Sequence, residues 1–394
     1  MKLRSIENLD LSGRKVIVRL DLNAPLEGGE VSDDTRITAA IPTVRHLMNA
    51  GAKVVLCSHL GRPKGKPEAQ YSLKPVGQRL AELSGYEVML VENYDDNLVS
   101  ATTTQLGKNQ LILLENLRFY PGEEKNDVDF AGALAKGFDY YIDDAFGAVH
   151  RAHASVVALA ECFPPEKRAA GFLLQREVEA LGKLLKNPEY PYVVIMGGSK
   201  VSDKIGVMLN LINVCNTILV GGAMAYTFLK FMGKNVGNSR VEEDKMDLVA
   251  TIMRNAEARK VRIELPEDHV VAAEFSESAK AETINSIDIP SGMMGLDIGP
   301  KTITKYSREI LSAKTVLWNG PMGVFEWDQF ANGTMSVAQA VAKNPNKTLV
   351  GGGDSVAAIN KAGLSDKVWH VSTGGGASLE FLEGLILPGV RVLQ

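Results

Sequence analysis

Short, nearly unbroken Val/Ile/Leu runs alternate with amphipathic stretches over the length of this 394-residue chain. The first set is KVIVRLDL (15–22), KVVLCSH (53–59), EVMLVE (87–92), LILLENLRF (111–119) and YYIDDA (140–145). A second set is YVVIMGG (192–198), TILVGG (217–222), VRIELPEDHVV (261–271), TVLWNG (315–320), TLVGG (348–352) and VWHVSTGG (368–375). Helical patterns such as 34–51 and 242–259 lie between them. Strands without a polar face must be covered on both sides, which is the situation of a parallel sheet flanked by helices. The chain is too long for one core and suits two domains of about 200 residues each. The expectation is therefore α/β, with two doubly wound, Rossmann-like parallel-sheet domains.

The boundary falls near GFLLQREVEALGKLLKNPEYPY (171–192), which reads as one helix ending at Asn187-Pro188. Val178, Leu181 and Leu185 recur at spacings of three and four and give it one apolar face. It is either an ordinary core helix or the connector between two nearly equal halves. The division expected is 1–172, a connecting helix 173–187, and 188–378.

A net charge of −4 gives a nucleic-acid partner no electrostatic support. Three cysteines lie far apart with no CxxC, which argues against a disulfide framework and fits a reducing cytoplasm. The N-terminus MKLRSIENLDLSG lacks the apolar core of a signal peptide. No apolar run approaches the ~18 residues needed to span a bilayer. A cytoplasmic protein with no membrane association is expected.

Ligands of open α/β sheets sit beyond the carboxyl ends of the strands. In the second half those ends are glycine-rich: MGGSK (196–200), VGGAM (220–224), WNGPMG (318–323), VGGGDS (350–355) and STGGGAS (372–378). Glycine lets backbone N–H groups approach a ligand, and the helix that follows offers unpaired N–H groups to an anion. One such turn says little, because tight βα turns need glycine anyway; five at one end of one sheet point to phosphates. Ser355 and Ser378 occupy matching places in two of these turns, each where it would cap a helix.

The first half differs. Its strands are followed by Asp21 and Asn23, by His59 and Arg62, by Arg118, and by Arg151 in HRAHAS, while Arg36 opens the helix after the first strand. Each arginine alone reads as a solvated surface group. Together they describe a pocket for a small, strongly anionic molecule, since guanidinium forks match carboxylate and phosphate geometry. His59 can act there as a cation or simply cap a loop; His150 and His153 read first as structural. Asp354 stands where a helix N-terminus would face phosphates, and Mg²⁺ takes one or two carboxylates plus phosphate oxygens. Asp354 is thus the metal candidate, with a helix cap as its alternative role, and Glu326 could accept hydrogen bonds from ribose hydroxyls.

RLDLNAP, SHLGRPKG, LENLRFYPGEEKND, DDAFGAVHRAHAS, GGSKVSDKIG, WNGPMGVFEW, GGGDS and STGGGASLEFLEG follow one another in this order. Together they resemble the phosphoglycerate kinase family, from near residue 15 to the C-terminus. The resemblance implies the reversible reaction of 1,3-bisphosphoglycerate with ADP to give 3-phosphoglycerate and ATP, with Mg²⁺ as cofactor. It implies two domains separated by a cleft, a tail (379–394) returning to the N-terminal domain, and a cytoplasmic monomer whose partners are these small molecules. Carried over by position, 3-phosphoglycerate contacts Asp21, Asn23, Arg36, His59, Arg62, Arg118 and Arg151. The nucleotide contacts Gly198, Lys200, Lys204, Gly222, Gly295, Asn319, Glu326, Gly352, Gly353, Asp354 and Ser355. Arg36, Lys200 and the turn Gly374, Gly375 and Gly376 serve the transferred phosphoryl. Ser199 stands where Ala is frequent in the family, and Asp143 where Asn is usual.

Two rivals remain. A nicotinamide-dependent dehydrogenase predicts a GxGxxG or GxGxxA turn after a strand, and none occurs. A non-catalytic anion-binding protein explains the arginines but not five glycine turns with Lys200 and Asp354.

Overall fold

The computed structural model describes residues 3–394. The chain divides into two compact units, one running to Glu179 and taking back Ile386–Gln394, the other Ala180–Leu385. The cut falls inside the helix Phe172–Lys186, whose buried positions are Leu174, Glu177, Val178, Ala180, Leu181 and Leu184. Leu184, not the expected Leu185, completes that face.

The first unit is built on six parallel strands: β1 (Lys15–Leu20), β2 (Lys53–Cys57), β3 (Glu87–Val91), β4 (Gln110–Leu114), β5 (Tyr140–Asp144) and β6 (Arg168–Ala170). Their order is β3-β4-β2-β1-β5-β6, so β1 is central, with Ile17 facing Val55 on one side and Tyr141 on the other. Sequence periodicity did not reveal β6, a three-residue edge strand. The C-terminal segment is held here by Gly389 N–H donating to Val149 O (2.9 Å) and by burial of Leu387, Val390 and Leu393.

The second unit carries β7 (Tyr192–Met196), β8 (Thr217–Val220) and β9 (Arg262–Glu264), then β10 (His269–Ala272), β11 (Glu282–Ile284) and β12 (Met294–Ile298), then β13 (Thr315–Asn319), β14 (Lys347–Val350) and β15 (His370–Val371). The parallel sheet runs β9-β8-β7-β13-β14-β15. This is the 3-2-1-4-5-6 order of doubly wound nucleotide folds, whose ligand crevice opens where the winding reverses, here between β7 and β13.

The stretch 261–271 is not one strand. It splits into β9 at the sheet edge and β10, which pairs with β11 and β12 in a separate antiparallel sheet. Pro266 cannot donate to a ladder. Asp268 turns the chain instead, its carboxylate accepting the N–H groups of Lys301 and Thr302 (2.8 Å each) at the start of the helix Pro300–Ser312. β11 (ETI) and β12 (MGLDI) carry too many polar or glycine positions to stand out as apolar runs.

Candidate active site

In the first unit the anticipated side chains gather at the carboxyl ends of β1, β2, β4 and β5. Asp21, directly after β1, is 7% exposed and ion-paired with Nη1 of Arg36. Asn23 Oδ1 accepts the N–H of Gly61 (2.9 Å), tying the end of β1 to the turn after β2. Arg118 reaches the same glycine, its Nη1 donating to Gly61 O (2.7 Å). Arg118 is itself buried, and its Nε has no hydrogen-bond partner among the described residues, the Glu124 carboxylate standing off at 3.4 Å. Arg62 and Arg151 are exposed, and Arg151 Nε donates to His150 Nε2 (3.1 Å).

Beneath these lies a group that strand-end reading misses. Arg19 sits inside β1, fully buried. Its Nε donates to Ser155 Oγ (2.7 Å), and Ser155 donates in turn to the buried Glu123 carboxylate through Oγ (2.6 Å) and N–H (2.9 Å). Its Nη2 lies 2.9 Å from His59 Nδ1. A guanidinium only donates, so Nδ1 accepts and His59 carries its proton on Nε2. Burial, then the charges of Arg19, Arg118 and Arg36, hold the His59 pKa well below its ordinary value. Burial and Arg118 likewise push His153 down to about 4. In this structure His59 accepts at Nδ1 from Arg19, and burial among arginines favours its neutral form.

Gly147 is the second residue missed. A Cβ there would lie 2.2 Å from Asp21 Oδ2, so any larger residue would have to displace the Asp21 side chain from its pair with Arg36. Burial also raises the Asp143 pKa to about 6.

In the second unit the glycine turns interlock at the winding reversal. Gly197 N–H donates to Asn319 O (3.0 Å), Gly198 N–H to Pro321 O (3.1 Å) and Gly222 N–H to Met322 O (2.9 Å). A Cβ on Gly197 would meet Pro321 O at 2.0 Å, and one on Gly320 would meet Gly197 O at 2.2 Å. Such closeness requires glycine on both turns. Beside them opens a cavity of 460 Å³ on which Gly198, Gly222, Gly295, Glu326 and Asp354 converge. Apolar and aromatic side chains, Tyr226, Phe275, Leu296 and Val324, share its lining.

Lys204 reaches back from the turn after β7 to bond Asn319 Oδ1, while Asn319 Nδ2 donates to Gly351 O (2.9 Å), linking three strand ends. Burial lowers the Lys204 pKa, with Asp354 opposing the shift. Lys200 is exposed and lies outside the cavity lining. Gly352 precedes the helix Gly353–Lys361, and Gly374 and Gly375 precede the helix starting at Gly376, so backbone N–H groups of both first turns remain for a ligand.

The expected caps are not formed by Ser355 and Ser378. Both helices start at glycine, one turn earlier, and place these serines inside. Ser355 Oγ accepts the N–H of Gly320 (2.5 Å), bracing the turn after β13, and Ser378 Oγ pairs with Ser372 Oγ (2.6 Å). Asp354 makes no capping hydrogen bond either. It is exposed and has no ion pair among the described residues.

Known proteins match this chain over nearly its whole length. The family model described as phosphoglycerate kinase matches residues 6–385. A phosphoglycerate kinase from Anaeromyxobacter sp. (strain Fw109-5) is 54% identical over 397 residues, covering 100% of both chains. One from Borrelia hermsii (strain HS1 / DAH) is 50% identical over 394 residues at the same coverage. Among solved structures, phosphoglycerate kinase from Coxiella burnetii superposes with a TM-score of 0.90 at 40% identity, over 100% of this chain and 99% of that one. The enzyme from Pyrococcus horikoshii OT3 gives 0.82 at 31% identity, over 99% and 98%. With its whole length matched, its two doubly wound sheets and its paired strand-end clusters, the chain belongs to the phosphoglycerate kinase family of phosphotransferases.

Proposed function

We propose that the two units divide the substrates of a reversible phosphoryl transfer between 1,3-bisphosphoglycerate and ADP, giving 3-phosphoglycerate and ATP. Asp21, Asn23, Arg36, His59, Arg62, Arg118 and Arg151 hold the acidic metabolite. The observation that carries this assignment is the buried, incompletely paired Arg118 guanidinium beside a neutral His59 with an outward-available Nε2–H. Arg118 and Arg36 supply charge, and His59 supplies a neutral donor.

The second unit holds the nucleotide. Gly198, Gly222 and Gly295 line the nucleotide cavity, and Glu326 takes the ribose. Lys200, Lys204, Asn319, Gly352, Gly353 and Ser355 form or brace the phosphate side. Arg36, Lys200 and the N–H groups of Gly374–Gly376 neutralise charge on the transferring group. No general base is required, because both possible nucleophiles, a phosphate oxygen of ADP and the carboxylate of 3-phosphoglycerate, are ionised at neutral pH. The work left to the protein is alignment and charge neutralisation.

The exposed, unpaired Asp354 at the cavity edge fits Mg²⁺, which needs few protein ligands when phosphates supply the rest. When bound, the ion would draw charge from the phosphate oxygens. We further propose a cytoplasmic monomer.

A coupled assay of ATP-dependent phosphorylation of 3-phosphoglycerate tests the reading. Thermal stabilisation by ADP with Mg²⁺, and none by NAD, is expected alongside it. Turnover failing on 3-phosphoglycerate would refute the assignment.

A further inference from the structure

Arg240 is the single cation among the described residues that line the 460 Å³ cavity of the second unit. It is exposed, and no ion pair or hydrogen bond engages its guanidinium among the described residues. The acidic lining groups Glu326 and Asp354 do not neutralise it. Five N–H donors therefore stand at the cavity wall without an acceptor.

The backbone that carries Arg240 is pinned on both sides. Before it, Asn238 N–H donates to Met293 O (2.7 Å), and Ser239 Oγ accepts the N–H of Gly295 (2.9 Å). After it, Glu242 N–H donates to Thr227 Oγ1 (3.2 Å), and the Glu242 carboxylate accepts from Val201 N–H (2.5 Å) and from the Ser202 hydroxyl (2.6 Å). These contacts place Arg240 on the Met294–Leu296 wall, with the apolar slot of Tyr226, Phe275 and Val324. The phosphate side is marked instead by Ser199, Asp354 and the glycine turn.

An apolar slot accepts the faces of any purine, so discrimination must come from its edges. A guanidinium fork pairs bidentately with two adjacent acceptors. Guanine and hypoxanthine offer O6 and N7 together; adenine offers N7 beside an N6 amino donor. We propose that Arg240 reads the base edge and favours 6-oxopurine nucleoside diphosphates relative to ADP, making guanosine and inosine diphosphates effective phosphoryl acceptors of this enzyme. The proposal rests on the nucleotide reading of this cavity.

The test compares wild type with Arg240→Met and Arg240→Lys, using kcat/KM for ADP, GDP and IDP and calorimetric binding of each nucleotide. In Arg240→Met the GDP:ADP ratio of kcat/KM should fall about tenfold, the order of one lost bidentate base contact, and IDP should follow GDP. Arg240→Lys should keep part of the ratio, because an ammonium can still donate to O6 and N7 but lacks the fixed fork. A uniform change for all three nucleotides or an unchanged ratio in Arg240→Met overturns the assignment. If calorimetry detects no nucleotide on the wild-type enzyme, the nucleotide reading of the cavity falls and takes this one with it; binding with an unaltered ratio defeats the Arg240 assignment alone.

Discussion

Nη2 of the buried Arg19 lies 2.9 Å from Nδ1 of His59, and that contact decides which imidazole nitrogen holds the proton. Because His59 is held well below its ordinary pKa, the native state binds fewer protons than the unfolded chain below about pH 6.5. Its contribution to stability is complete above that pH and is lost as pH falls. Nitrogen-detected NMR should show the Nε2–H tautomer unchanged from about pH 8 to 5.5. Arg19→Met removes the donor and the charge, so His59 should then titrate nearer its ordinary range. A wild-type His59 that titrates with an ordinary pKa refutes this coupling.

Asp144 carries the opposite sign. It is fully buried at the end of β5, where Oδ1 accepts the N–H of Leu174 (3.0 Å) and Oδ2 has no partner among the described residues. Burial pushes its carboxyl up to about 7. Between the ordinary carboxyl range and that value, the native state binds a proton that the unfolded chain does not. Stability therefore declines as pH rises through this window. Asp144→Asn should flatten the decline, gaining on wild type by up to about 1.4 kcal/mol per pH unit from near pH 4 to 7. Denaturant midpoints measured across that range provide the check, and parallel curves for the two proteins would contradict it.

His59 and Arg19 mark where sequence reading succeeds and where it stops. Asp21, His59 and Arg118 were legible because a strand ends just before each, and βα topology puts every such end on one edge. Arg19 was not, because it lies within KVIVRL and charged residues inside parallel strands are normally excluded. That very exception, a lone arginine in a strand buried on both faces, was the available signal. Gly147 left no signal, since its role depends on the approach of Asp21, 126 residues earlier in the chain. In the second half the glycine turns were legible as a set, yet the helices after them begin at Gly353 and Gly376, which shifted Ser355 and Ser378 from caps to braces. Pro266 could have divided 261–271 had its missing N–H been weighed against the apolar run.

Arg118 and Arg151 share a proposed ligand but not an environment. Each substitution by Ala should weaken the acidic substrate by roughly 1.5–3 kcal/mol and leave ADP affinity nearly unchanged. Arg118→Ala also removes the donor to Gly61 O and should lower stability, whereas the exposed Arg151→Ala should stay within about 0.5 kcal/mol of wild type. Calorimetry with each substrate, paired with denaturation, separates the two effects. Equal weakening of ADP would show that the substrates are not divided between the units.

Asp354→Asn removes the carboxylate offered to Mg²⁺ without removing a cap, since Asp354 makes no capping hydrogen bond. The Mg²⁺ concentration for half-maximal rate should rise severalfold while the melting temperature stays within a degree or so. An unchanged Mg²⁺ dependence with lowered stability would assign Asp354 a structural role.

Gly147→Ala adds one methyl group, and its backbone conformation is open to alanine, so any effect must come from what the methyl meets. It would sit 2.2 Å from Asp21 Oδ2 and 3.4 Å from Arg36 Nη1. The Asp21 side chain must yield, and the ion pair that orients Arg36 goes with it. Turnover should fall by on the order of tenfold or more, because Arg36 is assigned to charge that develops during transfer, while ADP binding should persist. The route is testable by a double-mutant cycle. If the methyl acts only by displacing Asp21, Gly147→Ala should add little to an enzyme already carrying Asp21→Ala, giving strong non-additivity in kcat. Additive losses would mean that Gly147 acts through some contact other than the Asp21–Arg36 pair.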